Sequence, residues 1–70
     1  MDREPVGSSN LVSAGYDEAS QTLEVEFSNG SVYQYYNVSE PIYREFLMAS
    51  SKGSFLNTYI KASFPFSRVG

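Results

Sequence analysis

Residues 22–36, TLEVEFSNGSVYQYY, decide the fold because they contain two strand patterns separated by a turn. In the first part, TLEVEF, apolar residues alternate with two glutamates, and this period of two is typical of a half-buried strand. The tripeptide Ser28-Asn29-Gly30 that follows is typical of a hairpin turn. We therefore predict an antiparallel hairpin in which SVYQYY is the returning strand.

The register of this hairpin decides which tyrosines face the core. A two-residue Asn-Gly turn pairs Val25 with Gln34 and places that amide on the core face. A three-residue turn ending at Gly30 pairs Val25 with Tyr33 instead. Burying Gln34 without hydrogen-bond partners is costly, so we predict the three-residue turn, with Tyr33 and Tyr35 in the core. The outer face of the sheet then carries Glu24, Glu26, Val32, Gln34 and Tyr36.

Upstream of the hairpin, residues 11–17, LVSAGYD, fit one more strand, with Val12, Ala14 and Tyr16 on one side. Residues 1–10 contain proline, glycine and serine and no apolar periodicity, so we expect a flexible N-terminal arm. The folded unit is then a single domain over residues 11–68 that begins with a three-stranded meander.

Downstream of the hairpin, the spacing of apolar residues predicts two helices. Ser39 is a good cap and Pro41 is tolerated in a first helical turn, so the first helix begins there and runs to about Lys52. Gly53 is a natural stop, and a shorter helix follows from Ser54. Its core face is predicted to carry Phe55, Leu56, Tyr59 and Ile60. The expected fold class is α+β, with a three-stranded antiparallel sheet and two C-terminal helices packed on one face.

Composition excludes several functional classes. The 70 residues contain no cysteine and no histidine, which removes disulfides and ordinary zinc sites, and we expect no metal and no cofactor. Acid–base catalysis at neutral pH usually uses histidine or a perturbed carboxylate, and a Glu24–Glu26 pair is better interpreted as a solvated sheet face. We therefore expect a protein that is not an enzyme. No run of 18 apolar residues and no signal-peptide pattern is present, so the expected location is the cytoplasm.

Charge is distributed unevenly along the chain. The formal net charge is −3, yet residues 1–40 hold seven acidic and one basic residue, whereas residues 41–70 hold four basic and one acidic residue. Such asymmetry is consistent with one binding side, and basic and aromatic residues together are typical of nucleic-acid binding. The candidate nucleic-acid-binding residues are a basic ridge on the C-terminal helices together with one arginine and one tyrosine: Lys52, Asn57, Lys61, Arg68, Arg44 and Tyr36.

A protein partner is the alternative interpretation. Exposed apolar residues on the outer sheet face, or an unpaired edge strand, are features that interaction modules use. The protein is then a monomer or a weak homodimer.

Seven short motifs stand out in order along the chain: Ser8-Ser9-Asn10-Leu11, Gly15-Tyr16-Asp17, Leu23 to Phe27, Tyr33-Gln34-Tyr35, Ala49 to Gly53, Phe55-Leu56-Asn57 and Ile60-Lys61. Together they resemble the KTSC domain, a module named for its occurrence at the C-terminus of some lysyl-tRNA synthetases and also found in stand-alone bacterial proteins. The family has no established activity, and the resemblance implies a binding module with RNA or a tRNA-related protein as its partner. Two departures are visible: Gln34 stands where the family often has a basic residue, and Ser39 where it often has proline.

Overall fold

The computed structural model describes residues 1–8 and 10–70, so Ser9, which belongs to the predicted arm, lies outside the described residues. The described residues form one antiparallel sheet of five strands in the order β1-β2-β3-β4-β5, with helices between β4 and β5. The α+β class is therefore confirmed. The elements are β1 Glu4–Pro5, β2 Leu11–Asp17, β3 Thr22–Phe27, β4 Val32–Tyr35, α1 Glu40–Met48, α2 Lys52–Phe55, a π-helical segment Leu56–Ile60 and β5 Phe66–Arg68.

The hairpin has the predicted register. Val25 pairs with Tyr33, and Glu24 pairs with Gln34 on the outer face. Gly30 takes a φ of 91°, a conformation that glycine adopts without steric cost, and its N–H donates to the Phe27 carbonyl at 2.9 Å. The three-residue turn therefore sets which side chains of β3 and β4 face the core.

The prediction of three strands and C-terminal helices is wrong in two details. A short strand is added at each edge of the meander. Glu4 of β1 pairs with Ala14 of β2, and Phe66 of β5 pairs with Tyr35 of β4. The helices accordingly precede a last strand. Glu4 and Pro5 fall within the expected flexible arm, but both pair with β2. Two or three residues are too few to show an alternating pattern, so these strands have no sequence signature.

A bulge in β2 changes the side of the strand on which Val12 lies. Leu11 pairs with Phe27 and Ser13 with Glu26, so Val12 is an extra residue between two pairs. As a result Leu11 is buried and Val12 is 46% exposed. Ala14 lies in the core and Tyr16 packs against it, so the prediction that Val12 shares a side with these two residues is wrong.

The helices end and begin at other residues than predicted. Helix α1 ends at Met48, because Ala49 is extended with a ψ of 139°. Ser51 then caps α2, and its hydroxyl accepts from the Ser54 N–H at 3.3 Å. Gly53 is therefore inside α2 rather than a stop, and it is buried against the Asn10 side chain.

The π-helical segment changes which residues of the last helix face the core. The Lys61 N–H donates to the Leu56 carbonyl at 2.8 Å, a bond across five residues that widens the turn. Leu56 and Ile60 are fully buried, but Tyr59 is 59% exposed, so the prediction of Tyr59 as a core residue is wrong. The buried core consists of Leu11, Ala14, Leu23, Val25, Tyr35, Val38, Phe46, Leu56 and Ile60.

Candidate functional site

An open cleft of about 430 Å³ lies on the helix-facing side of the sheet, where β3, β4 and β5 end beside the last helical turn. Four aromatic rings and one lysine contribute to its walls, together with polar residues of the hairpin turn. No carboxylate lines it among the described residues. The lining residues are Asn10, Phe27, Ser28, Asn29, Ser31, Tyr33, Tyr35, Lys61 and Phe66. We call this feature the aromatic cleft.

The strand register brings the four rings together. Phe66 lies directly opposite Tyr35, so both side chains project from the same sheet face, next to Tyr33 two residues earlier in β4. The ring centres of Tyr33 and Phe66 are 6.0 Å apart, and those of Phe27 and Tyr33 are 5.6 Å apart in an edge-to-face arrangement. Phe66 is 56% exposed. The cleft therefore offers accessible aromatic surface that spans three strands.

Lys61 supplies the positive charge of the aromatic cleft. Its ammonium nitrogen lies 5.7 Å from the centre of the Phe27 ring. Among the described residues Lys61 makes no ion pair, since the three ion pairs involve Arg3 and Arg44. An exposed cation–π contact contributes only about 0.5–1 kcal/mol, so the ammonium group is available to an anion.

The Tyr35 hydroxyl of the cleft is protonated at neutral pH. Burial, and then the charge of Tyr33, raises the pKa of Tyr35 to about 12. Neither the Tyr33 nor the Tyr35 hydroxyl hydrogen-bonds to another residue among those described. The half-buried Tyr33 hydroxyl is therefore able to donate to a bound group, whereas Tyr35 is 1% exposed and belongs to the buried core.

The predicted basic ridge does not form one surface. Lys61 lines the aromatic cleft, and Arg68 lies opposite Tyr33 in β5 and projects from the same sheet face. Lys52 is nine residues before Lys61, at the other end of the two helical segments, where it lines a small polar cavity with Ser50 and Ser51. Asn57 is exposed on the π-helical segment and lines no cleft described here.

The remaining two candidates lie elsewhere. The Arg44 guanidinium pairs with Glu40 at 2.9 Å on the exposed side of α1. Tyr36 follows β4, and its hydroxyl donates to Gln34 Oε1 at 3.2 Å, on the outer face of the sheet. Of the six candidates, only Lys61 and Arg68 are therefore brought to one face with exposed aromatic rings.

The outer face of the sheet is filled by a polar network that the sequence did not reveal. The Arg3 guanidinium pairs with Glu24 and lies 3.6 Å from Glu26, and its Nε donates to Ser13 Oγ at 3.0 Å. Gln34 Nε2 donates to Glu24 Oε1 at 2.8 Å. The candidate carboxylate pair Glu24 and Glu26 is thus held by Arg3, from the segment expected to be a flexible arm.

Glu24 stays ionised in this network. Burial alone would raise the pKa of Glu24, but the hydrogen bonds from Gln34 and Arg3 and the charge of Arg3 outweigh burial and hold the pKa below its ordinary value. Across the sheet, the acidic groups of this network therefore lie on the face opposite to the aromatic cleft.

Sequence reasoning missed Phe27, Tyr33 and Phe66 as site residues. Phe27 and Tyr33 follow the alternation of core positions, and nothing in that alternation shows that the end of the sheet stays open. Phe66 could be placed only by recognising β5, and FSR carries no strand pattern of its own.

No helix within residues 1–8 and 10–70 is long and apolar enough to cross a membrane. No group of three or more metal-binding side chains is brought together in that part of the chain.

The family model of the KTSC domain matches residues 7–64, which is most of the chain. The chain belongs to the KTSC family. A crystal structure of a KTSC domain protein from Yersinia pestis has 40% sequence identity and a TM-score of 0.92, and the match covers 99% of this chain and 97% of that one. The KTSC fold described above is therefore closely shared with a solved structure.

Relatives of this KTSC domain occur both alone and within a larger enzyme. A protein from Tsukamurella paurometabola is 41% identical over 61 residues, which are 87% of this chain and 91% of that protein. The lysine–tRNA ligase of Nostoc punctiforme is 39% identical over 54 residues, which are 77% of this chain but only 10% of the ligase. The chain thus spans a tenth of the length of that ligase.

Proposed function

We propose that this KTSC protein is a non-catalytic binding module for single-stranded RNA, with a base held in the aromatic cleft and a phosphate bound by Lys61. The observation that carries this function is the position of the Lys61 ammonium group beside four aromatic rings in a cleft that no described carboxylate lines. Stacking surface and a nearby cation are the two features that single-strand binding requires.

The size of the cleft favours one nucleotide. At about 430 Å³ it lies at the small end of the range of ligand pockets, which is about 300–1,000 Å³. A base stacked on an aromatic side chain contributes about 1–3 kcal/mol, with little dependence on sequence. Arg68 projects from the same sheet face as Tyr33 and is suited to a neighbouring phosphate.

The charge distribution favours one direction of approach. The net charge of −3 opposes a polyanion, and Glu24 and Glu26 lie on the outer face, where they pair with Arg3. A strand that approaches the helix-facing side meets Lys61 and avoids that face. With one or two phosphate contacts, binding is weak and falls as salt rises.

The family context supports an RNA-linked role. In the Nostoc punctiforme ligase, the matched region is a small part of a protein named for a tRNA. Loops and ends of structured RNAs present unstacked bases, which are the parts that proteins read by stacking. A module that adds one base site to such an enzyme strengthens binding without taking part in its chemistry.

The lining of the cleft favours binding over catalysis. It offers rings, amides, hydroxyls and one ammonium group. Proton transfer at neutral pH is usually carried out by a histidine or a perturbed carboxylate, and neither type lines the cleft among the described residues.

A protein partner is the second candidate, and a different surface supports it. A groove of about 500 Å³ lies between α1 and the chain after α2, and it is lined by Ile42, Glu45, Phe55, Tyr59, Ser63 and Phe64. Tyr59 is 59% exposed and Met48, at the end of α1, is 85% exposed. Exposed tyrosine and methionine are typical of protein interfaces.

Fluorescence anisotropy with an end-labelled single-stranded RNA tests the RNA-binding role. We expect the single strand to bind at low salt, more weakly as salt is raised, and more tightly than a duplex of the same sequence. Equal affinity for strand and duplex would contradict a base site, and absence of binding at low salt would leave the groove at Tyr59 as the surface to pursue.

A further inference from the structure

Three backbone carbonyls at the turn end of the aromatic cleft accept hydrogen bonds from within the chain. The Ser31 carbonyl accepts from the Phe27 N–H at 2.8 Å, and the Phe27 carbonyl accepts from the Gly30 N–H at 2.9 Å. The Asn10 carbonyl accepts from the Ser28 N–H at 3.1 Å. These three carbonyls are therefore already engaged when a ligand enters the cleft.

The two polar atoms of the Asn29 amide differ in their hydrogen bonding. Its Oδ1 accepts from the Ser31 N–H at 3.0 Å and from the Ser31 hydroxyl at 2.7 Å. A backbone N–H can only donate, so the atom facing it is the oxygen, and the orientation of the amide is fixed. The Nδ2 group is left without a partner among the described residues, in a side chain that lines the cleft.

Two groups that line the cleft can only donate, the Asn29 Nδ2 group and the Lys61 ammonium group. The hydroxyls of Ser28 and Tyr33 can donate or accept. A bound base gains most when its edge presents an acceptor to a group that can only donate, and it loses when an amino group is placed against the Asn29 Nδ2 group, because both groups are then left unsatisfied.

Building on the RNA-binding role proposed above, we infer that the aromatic cleft prefers a base that carries an exocyclic carbonyl group, which is uracil or guanine, over a base with an amino group at that position. The Asn29 Nδ2 group donates to the exocyclic carbonyl, the rings of Tyr33 and Phe66 stack on the base, and Lys61 holds the phosphate. One hydrogen bond gained or lost corresponds to a preference of about tenfold.

Two matched pairs of nucleotides test the preference. Uridine and cytidine monophosphates differ at position 4 in a carbonyl against an amino group, and inosine and adenosine monophosphates differ in the same way at position 6. Titration of the ¹⁵N-labelled protein with each gives four dissociation constants. We expect uridine to bind about tenfold more tightly than cytidine if the site takes a pyrimidine, and inosine more tightly than adenosine if it takes a purine.

The variant Asn29→Asp sharpens the test. Aspartate keeps the oxygen that accepts from Ser31 and replaces the donor by an acceptor, so the turn is retained and the preference for a carbonyl reverses toward the amino base. The added charge weakens both members of a pair equally, so the ratio reports the hydrogen bond. Asn37→Asp, an exposed position beyond β4, adds the same charge away from the cleft and leaves the ratio unchanged.

The possible outcomes separate the base preference from RNA binding itself. Equal affinity for all four nucleotides in the unmodified protein, while single-stranded RNA binds, overturns the preference and leaves the proposed function standing. The preference is also overturned if Asn29→Asp and Asn37→Asp change the ratio of the two dissociation constants within a pair by the same factor. Absence of binding by both the nucleotides and RNA overturns the preference and the proposed function together.

Discussion

The Lys61 ammonium group lies 5.7 Å from the centre of the Phe27 ring, so its positive charge is located at the aromatic cleft. This placement results from the π-helical segment, in which the Lys61 N–H bonds to the carbonyl of Leu56. Lys61 is therefore part of a cleft with stacking surface, and Lys52, the other basic residue of the last helical segments, does not line it.

Replacing Lys61 by glutamine is expected to weaken binding of single-stranded RNA several-fold. The slope of the logarithm of affinity against the logarithm of salt concentration should become shallower by about 0.7, the value for one phosphate contact on a single strand. The matched control is Lys52→Gln, which removes the same charge from the other end of the helix. Anisotropy titrations at several salt concentrations measure both effects. Equal losses in the two variants would show that only overall charge matters.

Replacing Phe66 by alanine is expected to lower RNA affinity by the stacking contribution of one ring, about 1–3 kcal/mol. Its ring is 56% exposed, so the fold should lose little stability. Tyr59→Ala is the control, because Tyr59 is 59% exposed but does not line the aromatic cleft. A larger loss of RNA affinity in Tyr59→Ala than in Phe66→Ala would place the RNA in the groove beside α1.

Replacing Gly15 by alanine is expected to displace residues 1–5 from the sheet. A methyl group on Gly15 would overlap the backbone carbonyl of Asp2, and that carbonyl has no flexible side chain to yield. The displacement removes the Arg3–Glu24 pair, so the free energy of unfolding falls by about 1–2 kcal/mol in urea denaturation.

A deletion of residues 1–5 completes a double-mutant cycle for Gly15. In the shortened chain the carbonyl of Asp2 is absent, so Gly15→Ala should be close to neutral. If the substitution costs as much in the shortened chain as in the whole one, the destabilisation has a source within the sheet.

Replacing Glu24 by glutamine is expected to cost about 1–2 kcal/mol at neutral pH, because the ionised carboxylate accepts from Arg3 and Gln34. The pKa of Glu24 is lowered in the folded state, so its stabilisation is present above the ordinary value of 4.5 and is lost as pH falls through the lowered value. The stability difference between wild type and variant should therefore shrink below about pH 4.5.

Urea denaturation from pH 7 to pH 3 measures this difference for Glu24→Gln. Glu45→Gln is the control, since Glu45 is exposed and makes no ion pair among the described residues. A difference for Glu24→Gln that stays constant across this range would mean that the charge of Glu24 does not stabilise the fold.

The sequence predicts those parts of the fold that have a repeating pattern or a constrained turn. The alternation in β3, the glycine of the hairpin turn and the cost of burying Gln34 together predict the register of β3 and β4 correctly. The motifs that resemble the KTSC domain predict the family correctly.

The rest depends on tertiary contacts that no local pattern shows. Strands β1 and β5 are two and three residues long, and they form only because the meander offers edges for pairing. The bulge at Val12 and the widened helical turn at Tyr59 each change which side chains face the core. A regular period of two or of 3.6 residues does not predict such a change. The aromatic cleft could not be predicted because one of its walls, Phe66, belongs to β5.

An ¹H–¹⁵N NMR titration of the labelled protein with a short single-stranded RNA, at low and at high salt, tests the central claim most directly. We predict amide shifts that cluster at Phe27, Asn29, Tyr33, Lys61 and Phe66 at low salt and that decrease at high salt. Shifts that cluster around Tyr59 and α1, or on the outer face around Glu24, would contradict the aromatic cleft as the RNA site. Absence of shifts at low salt would contradict RNA binding itself.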